Sequence, residues 1–174
     1  MLYNVNRIIM KFLKHSTTII LSLSTFLFSQ DQLGNDIDGE AAADRFGSSI
    51  SISSNGNHLA VGAPLNDGNG SSSGHARIFE YSGGSWSQKG SDIDGEAPGD
   101  RFGHSIALDS DGDRVAISAY ANDGNGSNSG HVRVFEYSGG SWSQLGSDID
   151  GEAAGDESGY WQGVSMNADG SRVA

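Results

Sequence analysis

The chain has no cysteine and only two prolines in 174 residues. The absence of cysteine rules out disulfide stapling and a lipid-anchored lipoprotein signal, so stability must come from a buried apolar core. Basic residues are also scarce, 10 against 22 acidic ones. A surface that acidic repels nucleic acid and anionic lipid, and suits cationic partners, neutral glycans or divalent cations. No phosphate-binding glycine loop, HExxH helix or nucleophile motif occurs. The carboxylates recur at repeated places, whereas an active site needs residues that break symmetry. The expectation is therefore a non-enzyme.

The longest region without acidic residues is the N-terminus. Residues 1–29 carry Arg7, Lys11 and Lys14, followed by an apolar stretch from Ile19 to Phe28. A helix of that length spans roughly 15 Å, about half the bilayer core, too short to cross and typical of a signal-peptide core. We read 1–29 as a signal peptide cleaved near Ser29–Gln30, which predicts a secreted or cell-surface protein with no transmembrane segment after signal removal. Without that segment, 22 acidic residues face 7 basic ones, a net charge of −15.

What the chain has in abundance is glycine, 26 residues, arranged periodically. Asp-Ile-Asp-Gly-Glu occurs at 36–40, 92–96 and 148–152, a period of 56. Residues 33–88 align with 89–144 without a gap and with about two-thirds identity. A third copy, 145–174, gains two residues around Tyr160-Trp161 and stops inside its second strand, which predicts further copies in a longer chain. Each copy reads as four short strands. The first spans Arg45 to Ser53, with Phe46, Ile50 and Ile52 on one face. Asn55-Gly56 or Asp111-Gly112 then supplies a type I′ turn, in which both central residues take positive φ. The second strand runs from Leu59 to Ala63 and the third from Gly74 to Tyr81. Ser82-Gly83-Gly84-Ser85 turns the chain into a fourth strand at Trp86. Ala76 and Ile78 on one face, with Phe79 and Tyr81 on the other, make both faces of strand three apolar. Four antiparallel strands in tandem predict an all-β fold, a β-propeller of which about two and a half blades are present. A hairpin solenoid or a β-sandwich also accommodates this strand count.

Phe46-Gly47 before strand one and Gly62-Ala63-Pro64 after strand two resemble the FG and GAP of FG-GAP repeats, which build the N-terminal propeller of integrin α chains and of related bacterial secreted proteins. The second copy keeps Phe102-Gly103 and has Ser118-Ala119-Tyr120 in place of GAP. The third keeps Gly159, with Ser158 for the Phe. The resemblance implies adhesion or ligand binding. It also implies a calcium loop between strands one and two, but Asp109-Ser110-Asp111-Gly112-Asp113 is too short to supply six to eight oxygens, so a plain turn is expected there.

The acidic motif is the better candidate cation site. Asp36, Asp38, Glu40 and Asp44 place oxygens at alternate residues around a glycine, like the opening of a calcium loop. The set recurs as Asp92, Asp94, Glu96, Asp100 and as Asp148, Asp150, Glu152, Asp156. No cofactor is required on this reading, and Ca2+ is the ion such a loop would take. Up-and-down topology puts these motifs on one rim with the loops carrying Asp67, Asn69, Asp123 and Asn125. That rim collects 14 of the 22 acidic residues. With Tyr160 and Trp161, which interrupt the repeat, these four residues are the candidate ligand contacts. Asn69-Gly70-Ser71 and Asn125-Gly126-Ser127 are glycosylation sequons in a eukaryotic host. His75 and His131, at equivalent positions, are expected to be surface residues at strand starts. The sequence thus points to an adhesion or interaction module with a protein or glycan ligand. A glycan-binding or glycan-active propeller and a structural spacer in an exported protein are the alternatives.

Overall fold

The computed structural model describes residues 31–160 and 163–174; the expected signal peptide and Trp161 lie outside them. Residues 34–174 form a compact unit. This unit is all-β among its described residues, and no described helix is long and apolar enough to cross a membrane.

Its first sheet comprises β1 (Ser49–Ile52), β2 (His58–Ala63), β3 (His75–Ser82), β4 (Ser85–Gln88) and the short β5 (Ile93–Asp94). All pairings are antiparallel in the order β1-β2-β3-β4, with β5 also on β3. The second sheet repeats this with β6 (Ile106–Leu108), β7 (Arg114–Ala119), β8 (His131–Ser138), β9 (Ser141–Gln144) and β10 (Ile149–Asp150). In the third copy, Met166 bridges Val173, and Ser165 and Ala174 exchange backbone hydrogen bonds of 2.9 and 3.0 Å, forming an opening hairpin. The described residues therefore form two propeller blades and the start of a third, with no closed ring among them.

The core is the seam between blades. Ala60, Ala76, Ile78 and Ile93 from the first sheet cluster with Phe102, Ile106, Leu108, Val115, Ile117 and Phe135 from the second. This is why both faces of a blade must be apolar: each face is covered by a neighbour rather than by water. Where a neighbour is lacking, the same positions stay open. Ile50 and Ile52 are 68% and 59% exposed, whereas their equivalents Ile106 and Leu108 are buried.

Two sequence expectations are corrected. Strand one starts at Ser49 rather than Arg45, because Arg45 and Gly47 adopt φ of 57° and 89°, which breaks the extended chain. Phe46 leaves the strand and sets its ring edge-on to Phe79, with centroids 6.3 Å apart. The turns are also exchanged. At Asn55-Gly56 and Asp111-Gly112 only the glycine has positive φ. There the Ser53 carbonyl accepts from Gly56 N–H at 2.9 Å, and Ser53 pairs across to His58, so the loop is a type I turn with a left-handed glycine. Gly83-Gly84 and Gly139-Gly140, with φ of 61° and 91°, hold the two-residue turns with both residues left-handed.

Candidate functional site

One rim of the blades carries the long loops after β2 and β7 and the acidic motifs after β4 and β9. Each loop is built from its own side chains. Asn66 donates to the Asp44 carboxylate at 2.9 Å and accepts from Gly68 N–H at 2.8 Å. Asp67 accepts from Ser72 N–H at 2.7 Å. Asn69 donates from Nδ2 to the carbonyls of Gly95 and Glu96 at 2.8 and 3.2 Å, tying the loop to the next acidic motif. The second blade repeats all of this: Asn122 to Asp100 at 3.0 Å, Asn128 N–H to Asp123 at 2.8 Å, and Asn125 to Gly151 and Glu152 at 2.8 and 3.1 Å. Loop and motif thus share a face, as topology requires. The amides of Asn69 and Asn125 are spent inside it, and Asp67 and Asp123 each commit one oxygen to loop closure.

The acidic motif is not an isolated loop: Ile93-Asp94 and Ile149-Asp150 continue the outer edge of the sheet beside β3 and β8. Its carboxylates have separate tasks. Asp44 and Asp100 are buried partners of Asn66 and Asn122, and Asp100 also accepts from Ala97 N–H at 3.1 Å. Asp156 accepts from Ala153 N–H at 2.7 Å in the same way. Asp36, Asp38, Asp150 and Glu152 are exposed on the rim. Desolvation, then the like charge of Asp92, lifts the Asp94 carboxyl above its ordinary range.

Among the described residues, the groups of potential metal ligands take one carboxylate from each of two successive motifs and a histidine from between them. They are Glu40, His75 and Asp92, and the equivalent Glu96, His131 and Asp148. The four acids of one motif do not form such a group. The expectation for the histidines is likewise corrected: both are 1% exposed. His75 pairs with Ala63 on one side and Asp94 on the other, so it sits in mid-sheet rather than at an edge. Its Nδ1 lies 3.8 Å from Glu40 and 3.7 Å from Asp92; that of His131 lies 3.6 Å from Asp148. Burial holds His131 below the ordinary imidazole range, against the pull of Asp148 and Glu96.

Behind each cluster stands a relay. Arg77 donates through Nε and Nη2 to the side-chain oxygen of Gln88 at 3.0 and 2.9 Å, and Gln88 donates to Asp92 Oδ1 at 2.6 Å. The guanidinium lies over Phe46 and Phe79, 5.5 and 5.1 Å from the centroids. Arg133, Gln144, Asp148, Phe102 and Phe135 reproduce the arrangement. The Phe of each FG pair is thus a platform for an arginine that positions the rim carboxylate.

A second feature of the rim breaks the repeat. His104, Tyr120 and Tyr160 form a ring cluster with centroid separations of 4.6, 5.0 and 4.5 Å, all three partly exposed. Arg101 lies 5.7 Å above Tyr120. Burial, then Arg101, lowers the His104 pKa. Sequence reasoning singled out Tyr160 but missed its partners. The signal was the substitution of Tyr120 for Pro64 and of His104 for Ser48 at equivalent positions. Trp86 and Trp142 are packing residues, tilted against Tyr81 and Tyr137 at 5.2 and 5.1 Å, and Trp142 Nε1 donates to the Lys89 carbonyl at 2.7 Å. The Asp109 carboxylate accepts from Gly112, Asp113 and Arg114 N–H at 2.8 to 3.3 Å, closing its own turn.

The sequence profile of the FG-GAP repeat matches residues 37–79 and 89–135, together more than half of the chain. No curated protein matches it.

Proposed function

Because this chain belongs to the FG-GAP repeat family, we propose that it is a non-catalytic interaction module, exported or displayed at the cell surface, that takes a protein or glycan ligand on its acidic rim. FG-GAP repeats form propeller-type modules often used in adhesion or interaction, which supports the class. The observation that carries the reading is the ring cluster of His104, Tyr120 and Tyr160. Aromatics that leave the repeat pattern, stay partly exposed and gather from two blades offer a recognition surface that the blade itself does not need. The exposed carboxylates elsewhere on the rim favour a cationic ligand edge or a bridging Ca2+. A glycan is the more specific version, since partly exposed rings stack on sugar faces.

The test is capture of glycans and of extracellular proteins by the immobilised chain, in calcium and in chelator. Tyr120→Ala and Tyr160→Ala should each abolish most of the signal while leaving the far-ultraviolet circular dichroism unchanged. Undiminished capture by both variants would remove the rim cluster as the ligand site.

A further inference from the structure

We propose that Glu40, His75 and Asp92, and again Glu96, His131 and Asp148, are two equivalent sites for a divalent metal ion of the zinc class. The inference adds an ion and a ligand set to the rim reading, and depends on that reading only for the biological use of the ion.

Three observations converge. First, each imidazole is 1% exposed, yet neither nitrogen of His131 and not Nε2 of His75 has a hydrogen-bond partner. A buried polar group left unpaired is costly, and an ion on Nδ1 would remove that cost at His131 Nδ1; the site at His75 follows from its equivalent geometry. Second, the Nδ1-to-carboxylate separations, 3.6 to 3.8 Å, are too long for hydrogen bonds. Two ligand atoms each about 2.1 Å from a tetrahedral zinc lie about 3.4 Å apart, so the gap is close to that of a shared ion before the side chains draw in. Third, the aspartates are held from behind. Oδ1 of Asp92 and of Asp148 accepts from Gln88 and Gln144, while Oδ2 faces the histidine. Outer-shell anchoring of this kind orients a ligand oxygen.

The nearby arginines do not cancel the site. Arg77 and Arg133 are 3.7 and 3.8 Å from Oδ1, the oxygen turned away from the imidazole. Arg133 Nη2 also lies 3.6 Å from Glu96 Oε1, which leaves the other Glu96 oxygen to an ion. Two carboxylates, one guanidinium and a neutral imidazole leave a net charge of −1, which still attracts a dication. One imidazole with two carboxylates suits Zn2+ or its first-row neighbours, whereas Ca2+ prefers oxygen alone. The arrangement also explains why the acidic motif carries acids at both ends. In 92–96, Asp92 serves His75 of one blade and Glu96 serves His131 of the next. An ion in each site would staple one blade junction to the following one.

Full-length protein stripped with chelator and dialysed against micromolar Zn2+ should retain two zinc ions per chain by elemental analysis. His75→Ala and His131→Ala should each retain one, and the double variant none. Glu40→Gln and Glu96→Gln replace exposed side chains, and should weaken zinc affinity at their own site about tenfold or more with unchanged circular dichroism. Zinc should raise the melting temperature of the wild type and not of the double histidine variant. Absence of stoichiometric zinc in the wild type, or two ions in the double variant, would overturn the proposal. Either result leaves the rim reading standing, because ligand capture and its Tyr120→Ala control are run in zinc-free buffer.

Discussion

The hydroxyl of Ser51 accepts a hydrogen bond from the backbone N–H of Leu108 at 2.9 Å, joining the first strands of adjacent blades. Beside it, Ser49 donates to the Gly103 carbonyl at 2.7 Å. Serines alternating with Ile50 and Ile52 thus give β1 one face for the following blade and one apolar face pointing away. The repeat therefore stabilises itself through contacts between copies, and equivalent residues differ in worth according to whether a neighbour covers them.

Leu108 and Ile52 make that difference measurable. Leu108→Ala should destabilise by about 2–4 kcal/mol, since its side chain is buried in the seam. Ile52→Ala, at the same repeat position but 59% exposed, should cost under about 1 kcal/mol. Urea denaturation of the two variants checks this; equal losses would show that the open face is covered in solution.

The FG glycines offer a second comparison. Gly47 and Gly103 both have positive φ, 89° and 85°, so a side chain costs about 1–2 kcal/mol at either. At Gly47 an added Cβ meets nothing within 4 Å, whereas at Gly103 it would overlap the carbonyl oxygen of His75. Gly103→Ala should therefore lose at least about 1–3 kcal/mol more than Gly47→Ala, through forced separation of the blades. Thermal unfolding of both variants is the readout.

Asn122→Ala should be costly for its size. It leaves the buried Asp100 carboxylate without its side-chain amide partner and opens the 122–130 loop. A loss of about 1.5–3 kcal/mol is expected, the usual range for a hydrogen bond to a charged group. Asn122→Asp should be worse still, because it sets like charges together. Chemical denaturation with both variants decides the order.

His104 predicts a pH effect of defined sign. Its folded pKa lies below the unfolded value of 6.5, from burial and then from Arg101. As pH falls through 6.5, the unfolded chain takes up a proton that the folded protein resists, so stability is lost below that point and is fully present above it. Compared with His104→Gln, the wild type should lose melting temperature between pH 7.5 and pH 5.5. Parallel pH profiles for the two proteins would count against the assignment.

Much of this architecture is written locally. A 56-residue period, glycine-bearing turns and alternating strands determined the blade number present, the positions of strands two to four and the shared rim, because each depends on residues within a few positions of one another. The turn types were not legible in this way: whether Asn55 takes positive φ depends on how β1 registers against β2, a pairing that neighbouring residues do not dictate. The same holds for the site. Four carboxylates close in sequence invited a single loop, but the strand that absorbs Ile93-Asp94 points them to different partners. His75 looks like a strand-start surface residue until β2 and β5 flank it and Glu40 meets it from the preceding connection. The sequence by itself determined the repeat and the acidity of one rim, since both are properties of local pattern and composition. Only the tertiary structure decided which side chains meet, because the meetings are made by blade packing, and packing joins residues that no local pattern relates.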